Sequence, residues 1–141
     1  MQVSNWTYNS KVFCETDIGD YVGFVYIIRN VTKDKFYIGK KNFHKVVKLK
    51  PLKGKTRKRH KKSFTDWEKY TGSSLDLNTD ILNGDIITRE IIKLCSSKAS
   101  MTYYELKYQM ERDALFRDDY YNGIINVRLS SVCKDAILRD S

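Results

Sequence analysis

A chain of 141 residues with 41% hydrophobic and 13% aromatic content has the size of one domain and the composition of a globular protein. No apolar run reaches the roughly 20 residues that a membrane span requires, and the opening MQVSNWTYNS lacks the basic start and apolar centre of a secretory signal, so a cytoplasmic protein is expected. The formal net charge of +9 is concentrated in one stretch: Lys40 to Lys62 holds 12 Lys or Arg and no Asp or Glu, leaving 14 of the 26 basic residues against all 17 acidic ones elsewhere. One basic patch on a slightly acidic body points to a polyanion. Nucleic acid fits better than a membrane surface, because no amphipathic basic helix accompanies the patch.

Along the chain, residues 1–20 are mixed, with Trp6, Tyr8, Val12 and Phe13 suited to a segment that packs across the domain. Tyr21–Arg29 is β-branched and aromatic and apolar nearly throughout, which predicts a central strand. Asn30–Lys35 reads as a turn and Lys35–Ile38 as the returning antiparallel strand. From Gly39 to about Arg59 no period is visible, and Pro51 and Gly54 predict a long basic loop or two short helical pieces. Thr65 or Asp66 is expected to cap a short helix carrying Trp67 and Tyr70, ended by TGSS. Leu75–Leu82 reads as a short helix closed by Asn83-Gly84, and Ile86–Leu94 as a third strand. Met101 to Phe116 carries a helical stripe. Asp118–Gly123 is a turn, and Ile124–Leu129 a short strand or extended segment. The fold class expected is a small α/β (α+β) domain, with an antiparallel sheet of three or more strands flanked by helices. Cys14, Cys95 and Cys133 are odd in number and widely spaced, which suits reduced thiols in or near the core and not a zinc site.

Residues able to carry chemistry are Tyr26, Tyr37, Lys40, Arg57, Arg59, His44, His60, Glu90, Glu105 and Asn126. Each has a plainer role open to it. The tyrosines could be core aromatics, the cations could solvate a loop, Glu90 could be an exposed cross-strand charge, and Asn126 could satisfy backbone. For Glu105 the plainer role is favoured by spacing alone. Thr102-Tyr103-Tyr104-Glu105 matches a capping box, in which the glutamate returns to the backbone at a helix start.

Taken in order, the elements change that balance. Phe24-Val25-Tyr26 and Tyr37-Ile38-Gly39-Lys40, then TREII, YYELKYQ and IINV, resemble the two tripeptides, third strand, glutamate helix and late asparagine of the GIY-YIG nuclease family. Five elements in order are a specific signal where one tripeptide would be weak. The likeness covers roughly Tyr21 to Leu129 and is similar to the small phage-type nucleases and homing-endonuclease catalytic domains of that family. It implies one domain over 1–141, a core at about 21–129 with an inserted basic loop at 40–62, and a phage-encoded enzyme acting in the host cell.

The resemblance further implies metal-dependent hydrolysis of DNA phosphodiesters. Glu105 would ligate one Mg²⁺ or Mn²⁺, Tyr26 would activate or orient the attacking water, and Tyr37 would order that water or touch phosphate. Lys40 would hold Tyr26 ionised or bind phosphate, and Asn126 would support the site. The family's arginine position, eight residues after the glycine, is Val47 here, so that role passes to Arg57 or Arg59, with Arg59 slightly favoured. Lys40, Lys41, His44, Lys45, Lys55, Arg57, Lys58, Arg59, His60, Lys61 and Lys62 would bind DNA, expected to be double-stranded. Specificity would rest on this loop, on homodimerisation or on a partner protein, or be low. The competing readings are a catalytically weak nucleic-acid-binding module on the same fold, and an inhibitor whose basic loop grips an acidic protein.

Overall fold

The computed structural model describes residues 2–141. Its elements in chain order are β1 (Val3–Tyr8), β2 (Lys11–Val12), β3 (Gly23–Asn30), β4 (Lys35–Asn42), β5 (His44–Leu49), β6 (Arg59–Phe64), α1 (Leu75–Leu82), β7 (Ile87–Cys95), α2 (Lys98–Glu111) and α3 (Lys134–Leu138). Five strands form the main sheet in the order β2-β1-β7-β3-β4, and β5 and β6 form a separate two-stranded sheet. The expected mixed α/β class is observed.

β3 is an interior strand, between β7 and β4, because both of its faces are apolar and both are covered. Phe24, Tyr26 and Ile28 point into one core with Trp6, Phe43, Trp67 and Leu77, while Val25 joins Ile38, Met101 and Tyr104 beneath α2 on the other face. Aromatic edges fill the first core: Trp6 meets Phe24 at 5.0 Å and Tyr26 at 5.2 Å. The Trp6 indole N–H donates to Trp67 O at 2.7 Å, so its polar atom is satisfied inside the core. β3 pairs antiparallel with β4 through eight residues, including Tyr26 opposite Gly39. It also pairs antiparallel with β7. The N-terminal segment does pack across the domain, as β1, and it does so parallel to β7.

The outer edge of β4 is covered, not left open to pair with another chain. Phe36 N–H donates to Asp119 O, and Tyr121 N–H returns the bond to Phe36 O, both at 2.8 Å. One step along, the Asn122 side chain takes the place of a strand: its Oδ1 accepts from Ile38 N–H at 3.1 Å and its Nδ2 donates to Ile38 O at 2.8 Å.

Three local expectations are corrected. The 40–62 stretch is not a loop or helical pieces; its first residues extend β4, and the rest is a β-hairpin in which His44 faces Phe64 and Leu49 faces Arg59. Pro51 and Gly54 do break regular structure, but only at the tip, where Gly54 adopts φ +81. Asp66–Tyr70 is a turn and not a capped helix; Trp67 and Tyr70 are held by packing and by turn bonds such as Lys69 N–H to Asp66 O at 3.0 Å. Helix α2 starts at Lys98, with the Ser97 side chain accepting from Ser100 N–H, so Thr102–Glu105 lies inside the helix and is no capping box. Of the cysteines, Cys95 is buried, Cys133 half-buried and Cys14 exposed. Among the described residues no helix is long and apolar enough to cross a membrane.

Candidate active site

Tyr26 and Tyr37 come from the two paired strands and point to the same side, as their alternation requires. Tyr26 is 1% exposed, and its ring lies 6.3 Å from that of Tyr37 and 6.1 Å from that of Tyr70. Gly39 sits directly beneath: a Cβ there would stand 2.4 Å from the Tyr26 hydroxyl oxygen and 2.7 Å from Cζ. Only glycine lets the hydroxyl occupy this place.

The segment after the Asp66–Tyr70 turn forms a roof. Gly72 has φ +84, and a Cβ on it would meet the Tyr37 ring at 3.0 Å and the Tyr26 hydroxyl at 3.4 Å. Ser73 Oγ lies 3.0 Å from the Tyr37 hydroxyl, and Ser74 caps α1 by accepting from Leu77 N–H. Thr71 donates to Asn78 Oδ1, whose amide donates to Gly72 O at 3.1 Å. Beneath the roof, the buried Arg89 guanidinium donates to Ser4 O and Tyr70 O, both at 2.8 Å, and lies 4.7 Å from the Trp6 ring. Burial lowers the Arg89 pKa to about 10, so it remains a cation at neutral pH. These contacts fix the Tyr70 backbone, which makes Arg89 a positioning residue.

On the far side of β4, Lys40 Nζ donates to Thr102 Oγ1 at 2.8 Å. Thr102 and Glu105 are three apart and share one side of α2. The Glu105 carboxylate makes no ion pair or hydrogen bond among the described residues. Burial raises its pKa and the Lys40 charge opposes that rise. Glu105 is near enough to raise both tyrosines. Tyr26 is held well above its usual value, by burial first and then by Tyr37, Tyr70 and Glu105. Tyr37 is raised by burial, against the hydrogen bond from Ser73. Both hydroxyls are therefore protonated at neutral pH.

The structure thus packs Tyr26 and Tyr37 around Gly39 and brings Glu105 within electrostatic reach of both tyrosines and of Lys40. It does not bring Arg57 or Arg59 there. Arg59 pairs with Leu49 at the distal end of the hairpin and donates to Lys50 O. That end stands about 17 Å of strand from the root, and Arg57 lies in the tip beyond it. Asn126 is exposed, and the asparagine that braces the site strand is Asn122. Sequence reasoning missed Asn122, Tyr70, Gly72 and Ser73. The signal available for the last two was TGSS, a compact run of turn formers next to an aromatic.

A divalent cation suits this donor set. A hard cation keeps several waters and needs only one or two carboxylates, and Glu105 is a half-buried carboxylate with a raised pKa and, among the described residues, no ion pair or hydrogen bond. Among the described residues no cluster of three or more His, Cys, Asp or Glu offers a softer, closed site.

A family model described as "Putative endonuclease segE, GIY-YIG domain" matches residues 6–125. The chain belongs to the GIY-YIG nuclease family. No curated protein and no solved structure gives a significant match. As a GIY-YIG domain the protein has a nuclease-type fold and function, and nucleases of this family act on DNA and generally depend on a divalent metal. In that setting the Tyr26–Tyr37 pair is the family's double tyrosine motif, here with Phe24-Val25 in place of the first Gly-Ile.

Proposed function

We propose that the protein is a metal-dependent DNA endonuclease in which Tyr26, Tyr37, Lys40 and Glu105 form the catalytic centre. The observation that carries this reading is the packing of Tyr26 and Tyr37 against Gly39, a place where no side chain fits, with the Glu105 carboxylate within electrostatic reach of both protonated hydroxyls. Glu105 would hold Mg²⁺ or Mn²⁺, which when bound supplies positive charge opposite the scissile phosphate and leaving oxygen. Tyr26, raised by burial, acts as a hydroxyl that orients the attacking water and not as a standing phenolate. Tyr37, fixed by Ser73, orders the same water or a phosphate oxygen. Lys40, whose ammonium is tethered at Thr102, offsets charge on the phosphate. Arg57 and Arg59 serve DNA contact and not the transition state, in keeping with their place on the hairpin.

Incubation with supercoiled plasmid and Mg²⁺ or Mn²⁺ tests this. Wild type nicks or linearises the plasmid, EDTA stops it, and Glu105→Ala lowers the rate by roughly 10³-fold, the several kcal/mol expected of a lost metal. Tyr26→Phe, which keeps the ring and removes the hydroxyl, lowers it by about 10²-fold. Equal cutting by wild type and Glu105→Ala would overturn the site assignment. Binding without cutting by wild type would favour a binding module on the same fold.

A further inference from the structure

Among the described residues the hairpin β5–β6 pairs with no strand of the main sheet, and most of its side chains on both faces are exposed. From His44 to Phe64 it carries ten Lys or Arg and no acid, so the remainder of the chain has 16 basic and 17 acidic residues. The whole positive excess is therefore on a projecting element. A two-stranded hairpin with so little apolar burial is of marginal stability alone. Its root is tied instead: Thr65 N–H donates to Phe43 O at 2.9 Å, Phe43 N–H to Val22 O at 3.0 Å, and Thr65 Oγ1 to Asn42 O at 2.6 Å. His44 stacks on Phe64 at 4.9 Å just beyond.

We infer that β5–β6 enters the major groove of duplex DNA as a two-stranded ribbon and supplies nearly all of the protein's DNA affinity. This rests on the reading of DNA as the substrate. Width decides the groove: a major groove about 12 Å across admits a two-stranded ribbon, whereas a minor groove of about 6 Å does not. Six-residue strands give a ribbon about 20 Å long, enough to lie along the groove. Register divides the side chains into two faces. One carries His44, Val46, Lys48, His60, Lys62 and Phe64; the other carries Lys45, Val47, Leu49, Arg59, Lys61 and Ser63. Val46 is 67% exposed and Val47 only 37%, and Leu49 and Ser63 are partly covered. The Val46 face meets the base edges, where its methyls suit a thymine methyl and Lys48, His60 and Lys62 suit purine acceptors. The tip, where Lys55, Arg57, Lys58 and Arg59 line one cleft with Leu52 and His60, rides on phosphate.

The test measures binding in EDTA, where no cleavage occurs, by anisotropy of a labelled duplex across a salt series. Replacing Lys45–Ser63 by Asn-Gly keeps the His44–Phe64 pair around a two-residue turn. This truncation lowers affinity at least about 100-fold at roughly 100 mM salt and reduces the log–log salt slope by about four to six. Lys48→Gln/His60→Gln/Lys62→Gln, which leaves the backbone intact should the truncation fail to fold, costs more affinity than Lys45→Gln/Lys61→Gln. A duplex with bulky glucosyl groups on cytosine C5, which fill the major groove, binds wild type no better than it binds the truncation. Distamycin in the minor groove leaves binding unchanged. Unchanged affinity on truncation and in the triple variant, or displacement by distamycin with normal binding to the glucosylated duplex, overturns the ribbon; equal losses from the two faces overturn the face assignment. If the ribbon results hold while wild type with Mg²⁺ leaves every duplex intact, the nuclease reading falls and the ribbon stands. If Glu105→Ala abolishes cutting but truncation spares affinity, the reverse is true.

Discussion

Two antiparallel ladders follow one another in this chain and share almost nothing else. β3–β4 has one strand buried on both faces, carries two tyrosines and a glycine in contact, and tolerates no added atom at Gly39. β5–β6, two residues further on, is exposed and basic, and its root is tied to the body at Phe43 and Thr65. The first ladder can hold reacting groups to a fraction of an ångström, because close packing leaves no alternative arrangement. The second can present charge to an irregular polyanion because most of its side chains are exposed. On the proposed reading, chemistry and affinity are separated by a single anchoring residue, Phe43.

Removing that anchor gives the largest expected effect. Phe43 is fully buried and contacts Phe24 at 4.9 Å and Trp67 at 5.2 Å. Phe43→Ala should cost about 3–5 kcal/mol in denaturant unfolding; a loss below about 1 kcal/mol would mean that the two ladders are not joined there. Next, Gly39→Ala drives a methyl into the Tyr26 hydroxyl. It should cost about 1–3 kcal/mol by overpacking and about 10²-fold in cleavage through displacement of the catalytic hydroxyl, with duplex binding intact. Loss of binding in step with cleavage would show that the two ladders are not independent.

Asn122→Ala leaves the Ile38 N–H without its side-chain acceptor, while Ile38 O keeps only the Gln109 Nε2 donor at 3.2 Å, and should cost about 1–3 kcal/mol, whereas Asn126→Ala should stay within about 0.5 kcal/mol. Parallel melts of the two variants check which asparagine supports the site strand. The smallest effect is the most diagnostic of metal. Because burial raises the folded-state pKa of Glu105 above 4.5, its charged form costs stability at neutral pH. That cost fades as pH falls through the raised value toward the unfolded one. Glu105→Gln should therefore melt higher than wild type at neutral pH and no higher near roughly pH 4, below the unfolded pKa. Mg²⁺ should raise the melting temperature of wild type and not of Glu105→Gln.

Much of the buried ladder was legible because burial leaves a pattern. The near-continuous apolar run of Gly23–Asn30, the returning strand, the helix Leu75–Leu82 closed by Asn83-Gly84, and the strand ending at Cys95 all follow from period and turn chemistry. The exposed hairpin left no such trace. With lysines on both faces, neither alternation nor an apolar run marks a strand, and pairing alone makes it one. The β1–β7 pair is parallel and joins residues more than 80 positions apart, so no local turn announces it. At the site, the tyrosines, Lys40 and Glu105 were singled out by the resemblance to the family's ordered motifs, since spacing alone favoured a capping role for Glu105. Gly72 contributes by having no side chain, and Asn122 by imitating a strand, and neither role has a sequence signature. The tempting capping pattern at Thr102–Glu105 lost to Ser97, whose hydroxyl makes the observed cap.

The 2.9 Å bond from Thr65 N–H to Phe43 O means that the chain leaves the domain and re-enters it at almost the same point. Whatever lies between those two residues can be lengthened, shortened or exchanged with little strain on the body, since closure entropy grows only slowly with length. The hairpin is thus a cassette: one catalytic body could be retargeted, by natural divergence or by grafting, through replacement of residues 44–64 alone.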